Sequence, residues 1–159
     1  MSKLSRVTNK LKKTREVKED FPISEDSALE SIIEILDYYD IPMERVEETM
    51  QSEQAGETLI DAMTKYFRRG QIETERNDKN ELTIIQHLQD DKKITYQEVR
   101  AKHKRAMDKT SDNEGYKRRY AFLGSLCGLG SDAIESLKTG GKWNDLACAE
   151  FLGAFFLLI

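Results

Sequence analysis

The 159-residue sequence has few of the residues that build easily recognised chemical sites. It contains two cysteines, two histidines and two prolines, with no CxxC pair and no Cys/His cluster. A disulfide framework and a structural zinc site are therefore not expected, and Cys127 and Cys148 are predicted to be free thiols inside apolar helices. This use of cysteine suits a reducing compartment.

Long hydrophobic runs are also missing. The basic residues at the start are not followed by the apolar stretch of a secretory signal, so none is expected. The apolar residues between positions 146 and 159 are too few and too interrupted to span a bilayer, which takes about 20 residues. The sequence predicts a cytoplasmic protein that has no contact with a membrane.

Motifs that carry catalysis are absent as well. The chain has no phosphate-cradling glycine loop, no nucleophile elbow and no metal-ligand spacing. His87 lies in a strand-like run and His103 among cations, and neither has the context of a catalytic base. We therefore expect no catalytic residue, no bound metal and no cofactor, and we predict that the protein is not an enzyme.

Charge is abundant and unevenly distributed around a net value of -4. Residues 1–15 carry six cations and no acid, whereas residues 20–64 carry thirteen acids and a single cation, Arg45. Low hydrophobicity and like charge predict that residues 1–22 form a flexible basic arm. Its function would be contact with nucleic acid or with an acidic partner, and the alternative is a solvated tail; the cations concerned are Lys10, Lys12, Lys13 and Arg15.

Residues 23–70 are predicted to form an acidic helical region. Ser24 or Ser27 can cap a helix over about 24–39, and further helices are expected over about 42–50 and 57–68. In the first helix, apolar residues at helical spacing predict one core-facing stripe, with acids on the other side. The stripe consists of Leu29, Ile32, Ile33, Leu36 and Tyr39.

The second half changes character after a polar stretch, residues 71–81, that we interpret as a linker. β-Branched runs on both sides of Asp90–Asp91 predict a hairpin within residues 82–99. Helices are expected over about 102–109, 116–127 and 131–137, the last of these capped by Ser131, and from about 145, where Asn144 can cap. The predicted fold is mainly α: N-terminal helices plus a C-terminal α+β unit, residues 82–159, with one short β-hairpin packed on helices.

The sequence ends in apolar residues that one core-facing side of a helix would not bury completely. Residues 155–159 are consecutive and apolar, so on a helix they point in every direction, whereas a core absorbs about one stripe. This pattern predicts a surface for self-association or for a partner, and the alternative is a segment wholly enclosed by the core. The predicted partner-binding residues are Leu152, Phe155, Phe156 and Leu158, whereas Trp143 is expected to be a core anchor.

A glycine-rich turn, Gly128–Gly130, precedes Ser131 to Leu137. Two glycines around an apolar residue resemble the helix–hairpin–helix pattern that binds a nucleic-acid backbone through helix N-terminal amides. Asp132 and Glu135 at the start of the next helix would repel a phosphate, so we interpret the turn as a corner between two helices.

The order of these elements in residues 80–159 resembles the small tail assembly chaperones of tailed bacteriophages. A strand-rich opening, Leu82 to Tyr96, leads to Val99-Arg100 and then to Arg105-Ala106-Met107-Asp108-Lys109. A helix ending in Leu126-Cys127-Gly128-Leu129 follows, and then the stretches Ser131 to Leu137 and Asp145 to Leu152. The resemblance implies a protein that has no catalytic site or cofactor and binds a tail component, the tape measure or tail tube protein, before it polymerises.

This resemblance further implies action in the cytoplasm of the infected bacterium and absence from the mature virion. Residues 1–79 have no counterpart in the family pattern, and Gly140–Trp143 is an insertion in it. The sequence allows homo-oligomers, and nucleic acid is not expected as a partner. Two alternatives stay open: a phage nucleic-acid regulator or packaging accessory that uses the basic arm and the Gly128–Gly130 turn, and a structural neck or connector protein.

Overall fold

The computed structural model describes residues 20–50, 59–110 and 115–159, without the side chains of 47–50. Most of the predicted basic arm, including Lys10, Lys12, Lys13 and Arg15, therefore lies outside the described residues. The helices are α1 (Glu25–Tyr38), α2 (Met43–Met50), α3 (Leu59–Arg69), α4 (Ala101–Arg105), α5 (Gly115–Cys127), α6 (Ser131–Glu135) and α7 (Asp145–Phe156). A 3₁₀ turn, Ala106–Lys109, follows α4 directly.

Three antiparallel strands form the sheet, in the order β1 (Ile72–Arg76), β2 (Leu82–His87), β3 (Lys93–Tyr96). The predicted hairpin is confirmed as β2 and β3, and Asp91 in its turn adopts a positive φ of 66°. The predicted mainly α fold with a small β component is also confirmed. The prediction of only one two-stranded hairpin is wrong, because β1 pairs with β2, for example Thr74 with Ile84, and the sheet has three strands.

The linker predicted over residues 71–81 contains this extra strand. Ile72 is buried and belongs to the hydrophobic core, whereas Glu73 and Glu75 face solvent. An edge strand with one buried anchor and alternating polar residues has little hydrophobicity, so its composition is similar to that of a loop. The prediction was wrong because pairing with β2 outweighs that composition.

The helix boundaries follow local capping chemistry. Ser24 caps α1 by accepting the N–H of Ser27 at 3.2 Å, and Asn144 caps α7 by accepting the N–H of Ala147 at 2.9 Å. Both caps agree with the sequence-based expectation. At α6 the N-cap is Gly130, with a φ of 87°, and Ser131 is the first helical residue, so the predicted serine cap is wrong.

One hydrophobic cluster runs through both halves of the chain. It includes Ile32 of α1, Phe67 of α3, Ile84 of β2, Leu123 of α5 and Phe156 of α7. Contacts join the two halves. The rings of Tyr66 and Phe151 pack with their centroids 5.1 Å apart, and the N–H of Val99 donates to the hydroxyl of Tyr39 at 3.0 Å. The described helices and the sheet therefore share one core.

Candidate functional site

The predicted partner-binding residues lie mainly in the core. Leu152 has no exposed surface, Phe155 and Phe156 are each 1% exposed, and Leu158 is partly buried against the core cluster. The expectation that the fold leaves these side chains over for a partner is wrong for the first three. Only Leu157, which is 37% exposed, presents a large apolar surface in this segment.

Neighbours on several sides enclose α7. The ring of Phe156 packs 5.6 Å from Tyr96 of β3, and that of Phe151 packs on Tyr66 of α3. Helix α5 approaches so closely that a Cβ placed on Gly153 would lie 3.1 Å from the side chains of Arg119 and Leu123. A helix that is apolar all round is stable when it is surrounded in this way, so the core absorbs far more than one stripe.

The Gly128–Gly130 turn is a tight corner. A Cβ on Gly124 of α5 would lie 2.3 Å from the carbonyl carbon of Gly130, so the two backbone segments touch. The N–H of Gly130 donates to the carbonyl of Gly124 at 3.2 Å. Asp132 and Glu135 are exposed on the short helix that follows. This geometry agrees with a corner between helices and places acids where a phosphate would have to bind.

Exposed acids are concentrated on the first helix and on the segments at both of its ends. All eight acids from Asp20 to Glu44 are exposed, and this segment contains no lysine or arginine. Four exposed residues at i, i+4, i+7 and i+11 spacing line the outer side of α1, opposite its buried Ile32 and Ile35. We call them the acidic stripe: Asp26, Glu30, Ile33 and Asp37.

Ile33 is the unexpected member of the acidic stripe. The periodicity placed it in the core, but 49% of its surface is exposed, and Ile35 occupies the buried position instead. The buried residues of α1 are Ala28, Ile32, Ile35 and Leu36. The stripe therefore combines an apolar side chain with flanking carboxylates, an arrangement that suits a partner with basic and apolar residues.

A buried polar network connects the sheet to the loop before α7. The hydroxyl of Tyr96 donates to Oε1 of Gln86 at 2.8 Å, and Nε2 of Gln86 donates to the backbone carbonyl of Asp145 at 2.8 Å. The carboxylate of Asp145, which is buried, accepts the backbone N–H of Gln89 at 3.3 Å. These bonds fix the start of α7 against the end of β2.

Gln89 extends this network into the loop formed by Gly140–Trp143. Its Nε2 donates to the carbonyls of Gly140 and Trp143, at 2.8 and 2.9 Å, and its Oε1 accepts the N–H of Lys142 at 3.2 Å. Gly141 has a φ of 108°, and a Cβ there would lie 2.0 Å from Gln89 Oε1. We call residues 140–143 the clamped loop, because the side chain of Gln89 holds their backbone through these hydrogen bonds.

A cavity of about 630 Å³ opens between the clamped loop and α3. Trp143 lines it, is only half-buried, and is not part of the core cluster, so its predicted role as a core anchor is wrong. Two buried polar atoms of its lining residues, Oε1 of Gln71 and Nε1 of Trp143, have no hydrogen-bond partner within the described parts of the chain. The full lining comprises Asp20, Pro22, Tyr66, Arg69, Gln71, Lys142, Trp143 and Asn144.

A second, more polar cavity of about 490 Å³ lies beside α4. Arg100 contacts Glu81 and Glu98 there, and the buried imidazole of His103 accepts the N–H of Arg100 at its Nδ1, 2.9 Å away. Burial, helped by the positive charges of Lys102 and Arg100, lowers the pKa of His103. A neutral imidazole that accepts a backbone N–H serves here as a structural cap.

The cysteines are free thiols, as predicted, with Cys148 buried and Cys127 partly buried. Burial raises the pKa of both thiols, which disfavours the reactive thiolate. Within residues 20–50, 59–110 and 115–159, no cluster of three or more His, Cys, Asp or Glu side chains has the arrangement of a metal site. Among the same residues, no helix has both the length and the apolar character that crossing a bilayer requires.

Comparisons with known proteins identify no relative. No family model matches the chain, and neither a curated protein nor a solved structure matches it. The function is therefore inferred from the molecule itself.

Sequence reasoning missed three residues that now matter: Ile33, Gln71 and Trp143. A second buried series at Ala28, Ile32 and Ile35 was available in the sequence and would have left Ile33 outside. The position of the half-buried indole of Trp143 had a weaker signal, because a tryptophan in a glycine-rich loop has few neighbours in sequence to cover it. Nothing in the sequence around Gln71 indicates a cavity.

Proposed function

We propose that the protein is a non-enzymatic assembly factor that binds another protein, and that it acts as a bacteriophage tail assembly chaperone. The class follows from the resemblance of residues 80–159 to that family. On this proposal its client is the tape measure or tail tube protein, it acts in the cytoplasm of the infected bacterium, and it is absent from the mature virion.

The observation that carries the proposal is the acidic stripe on α1. Asp26, Glu30 and Asp37 place carboxylates around Ile33, on a helix with no cation of its own. Ile33 would supply apolar contact, while the carboxylates attract a basic partner and exclude acidic ones. The partner surface is therefore assigned to α1 and no longer to Leu152, Phe155 and Phe156, which the core occupies.

This surface fits a helical client segment with basic residues around an apolar one. A partner helix pairs its apolar side chain with Ile33, and its lysines or arginines with Glu30 and Asp37. Steering by charge raises the association rate, whereas the apolar contact limits dissociation. A chaperone benefits from this combination, because it must capture its client quickly and hold it until the client polymerises.

The test is co-expression with the tail tube and tape measure proteins of the same genome. We expect a soluble complex with one of them, and Ile33→Ser should weaken it about tenfold or more, as loss of a central apolar contact does. Leu129→Ser is the matched control, because Leu129 is 60% exposed but lies in the Gly128–Gly130 turn. That variant should bind as the parent does.

Charge-reversal variants test how much the carboxylates of the acidic stripe contribute to binding. Glu30→Lys with Asp37→Lys should slow association at low salt by about tenfold or more, with a smaller effect at high salt. If neither tail protein forms a complex, the chaperone proposal is wrong. If a complex forms and resists both the Ile33 and the charge variants, the client binds elsewhere.

The described residues do not favour the nucleic-acid alternative. Exposed acids cover α1 and begin α6, where a nucleic-acid module would need cations. The neck or connector alternative stays a prediction that purified particles would test.

A further inference from the structure

Two residues that line the cavity between the clamped loop and α3, Gln71 and Trp143, each have a buried hydrogen-bonding atom without a partner among the described residues, one an acceptor and the other a donor. We propose that this cavity binds an amide group of a partner polypeptide, with Gln71 as the acceptor for its N–H and Trp143 as the donor to its carbonyl. The choice of a polypeptide as the ligand rests on the proposed function.

Gln71 is held firmly in place. Its N–H donates to the carbonyl of Tyr66 at 3.0 Å, and its carbonyl accepts the N–H of His87 at 2.7 Å, so both backbone groups are satisfied. The residue is 1% exposed, yet its Oε1 has no hydrogen-bond partner in the described parts of the chain. Buried polar atoms are nearly always bonded, so such an atom at a cavity indicates a group that binds there.

Trp143 is positioned independently by the clamped loop. Gln89 holds the carbonyl of Trp143, and the ammonium of Lys142 lies 4.4 Å from the centre of the indole ring. These contacts orient the ring while its buried Nε1–H lacks a partner among the residues described. An indole N–H is only a donor, so its complement is an acceptor oxygen.

An amide group has the chemical complement of both atoms. An amide offers an N–H to Gln71 and a carbonyl oxygen to Trp143, and it is neutral, which suits a cavity that has both an acid, Asp20, and cations in its lining. The volume of about 630 Å³ is in the range of ligand sites and far above that of one water molecule. Tyr66 and Pro22 provide apolar wall for the atoms on either side of the amide.

Trp143 is the only tryptophan of the chain, so its indole N–H gives one resonance in a ¹⁵N-correlated NMR spectrum. The probes are N-acetyl-trialanine methylamide, which carries backbone amides only, and propionamide, which imitates an Asn or Gln side chain. We expect a saturable shift of the indole resonance with the tripeptide. A shift with propionamide alone would assign the same amide site to side chains.

Two comparisons examine the donor–acceptor pair. An analogue of the tripeptide in which every amide is replaced by an ester has no N–H donor and should bind roughly tenfold more weakly to the unmodified protein, since the missing donor leaves Gln71 unsatisfied. Gln71→Leu should weaken the tripeptide similarly, and Gln97→Leu, in the other cavity, should not. The ester comparison needs no variant, so it remains decisive if Gln71→Leu does not fold.

The proposal is overturned if neither probe shifts the resonance up to its solubility limit, which would mean that only solvent fills the cavity. It is also overturned if ester and amide bind equally. Ile33→Ser leaves this cavity intact and should leave the indole titration unchanged. Failure of the α1 surface and failure of the amide site are therefore separate results.

Discussion

Helices α1 and α7 show two opposite uses of apolar residues. Helix α1 has a narrow buried series and leaves Ile33 on its acidic outer side, whereas α7 has apolar residues nearly all round and buries them. The helix with the more apolar sequence is thus the less available to a partner. Exposure depends on how many neighbours surround a helix, and the count of its apolar residues does not determine it.

The largest predicted difference between the two helices is in how much a substitution lowers the free energy of unfolding. Phe156→Ala should lower the free energy of unfolding by about 3–5 kcal/mol, because it removes a buried ring that packs on Tyr96. Ile33→Ala should change it by about 0.5 kcal/mol or less, as surface substitutions do. Urea denaturation measures both, and equal losses at the two positions would invalidate the distinction.

The same distinction applies to serine substitutions at the end of α7. If these phenylalanines were a sticky surface, Phe155→Ser with Phe156→Ser would relieve aggregation. Because both are buried, we expect the pair to unfold the protein and to increase aggregation. Size-exclusion chromatography of the soluble fraction decides between the two results.

A smaller loss of stability is expected from a substitution that crowds the Gly128–Gly130 turn. Gly124→Ala should cost about 1–3 kcal/mol, because its Cβ would meet the backbone of Gly130, which has no flexible atom to move away. Gly115→Ala is the matched control: a Cβ there meets no atom of the described residues within 4 Å, so stability should change by about 1 kcal/mol or less. Similar losses for both variants would contradict the close backbone contact.

The interior also contains a titrating group, whereas the acids of α1 are solvated. Burial lowers the pKa of His103 in the folded protein below its value of 6.5 in the unfolded chain. The unfolded chain therefore takes up the proton first, and stability is lost as pH falls from about 6.5 through the folded pKa, with a slope of at most about 1.4 kcal/mol per pH unit for one proton.

His103→Gln should flatten this slope below about pH 6.5, as thermal or urea denaturation would show. His87→Gln is the control, because His87 is the only other histidine and its side chain is 39% exposed. A slope that survives the first substitution, or disappears with the second, would contradict the assignment to His103.

The smallest effect is on α1 itself and has the opposite sign. Glu30→Lys would place a cation one turn from both Asp26 and Glu34, which should stabilise the helix by about 0.2–0.5 kcal/mol per favourable pair. We expect this variant to be slightly more stable and to bind its client less well, as substitutions in functional surfaces often do. Glu135→Lys on α6 is the control for a general effect of charge.

Much of the fold could be predicted because local chemistry determines it. Helical periodicity and the caps Ser24 and Asn144 gave helices at nearly their observed positions, and β-branched residues gave β2 and β3. Strand β1 could not be predicted in this way, since Ile72 is its only buried residue and its pairing is a tertiary effect.

The sites were much harder to predict, for a related physical reason. Whether Phe155 and Phe156 are covered depends on Tyr96, α3 and α5, which are distant in sequence. Whether Gln71 and Trp143 share a cavity depends on Gln89, which holds a loop more than fifty residues away. Amino-acid composition indicates neither the covering of the phenylalanines nor the shared cavity. For this reason the apolar residues at the end of the sequence were wrongly interpreted as an interface.

The most direct measurement of the central claim is hydrogen–deuterium exchange of the protein with and without the proposed tail-protein client. We predict that binding slows exchange in residues 25–38, which carry the acidic stripe, and that residues 145–156, already enclosed by the core, change little. Protection that appears in residues 145–156 and spares residues 25–38 would contradict the account.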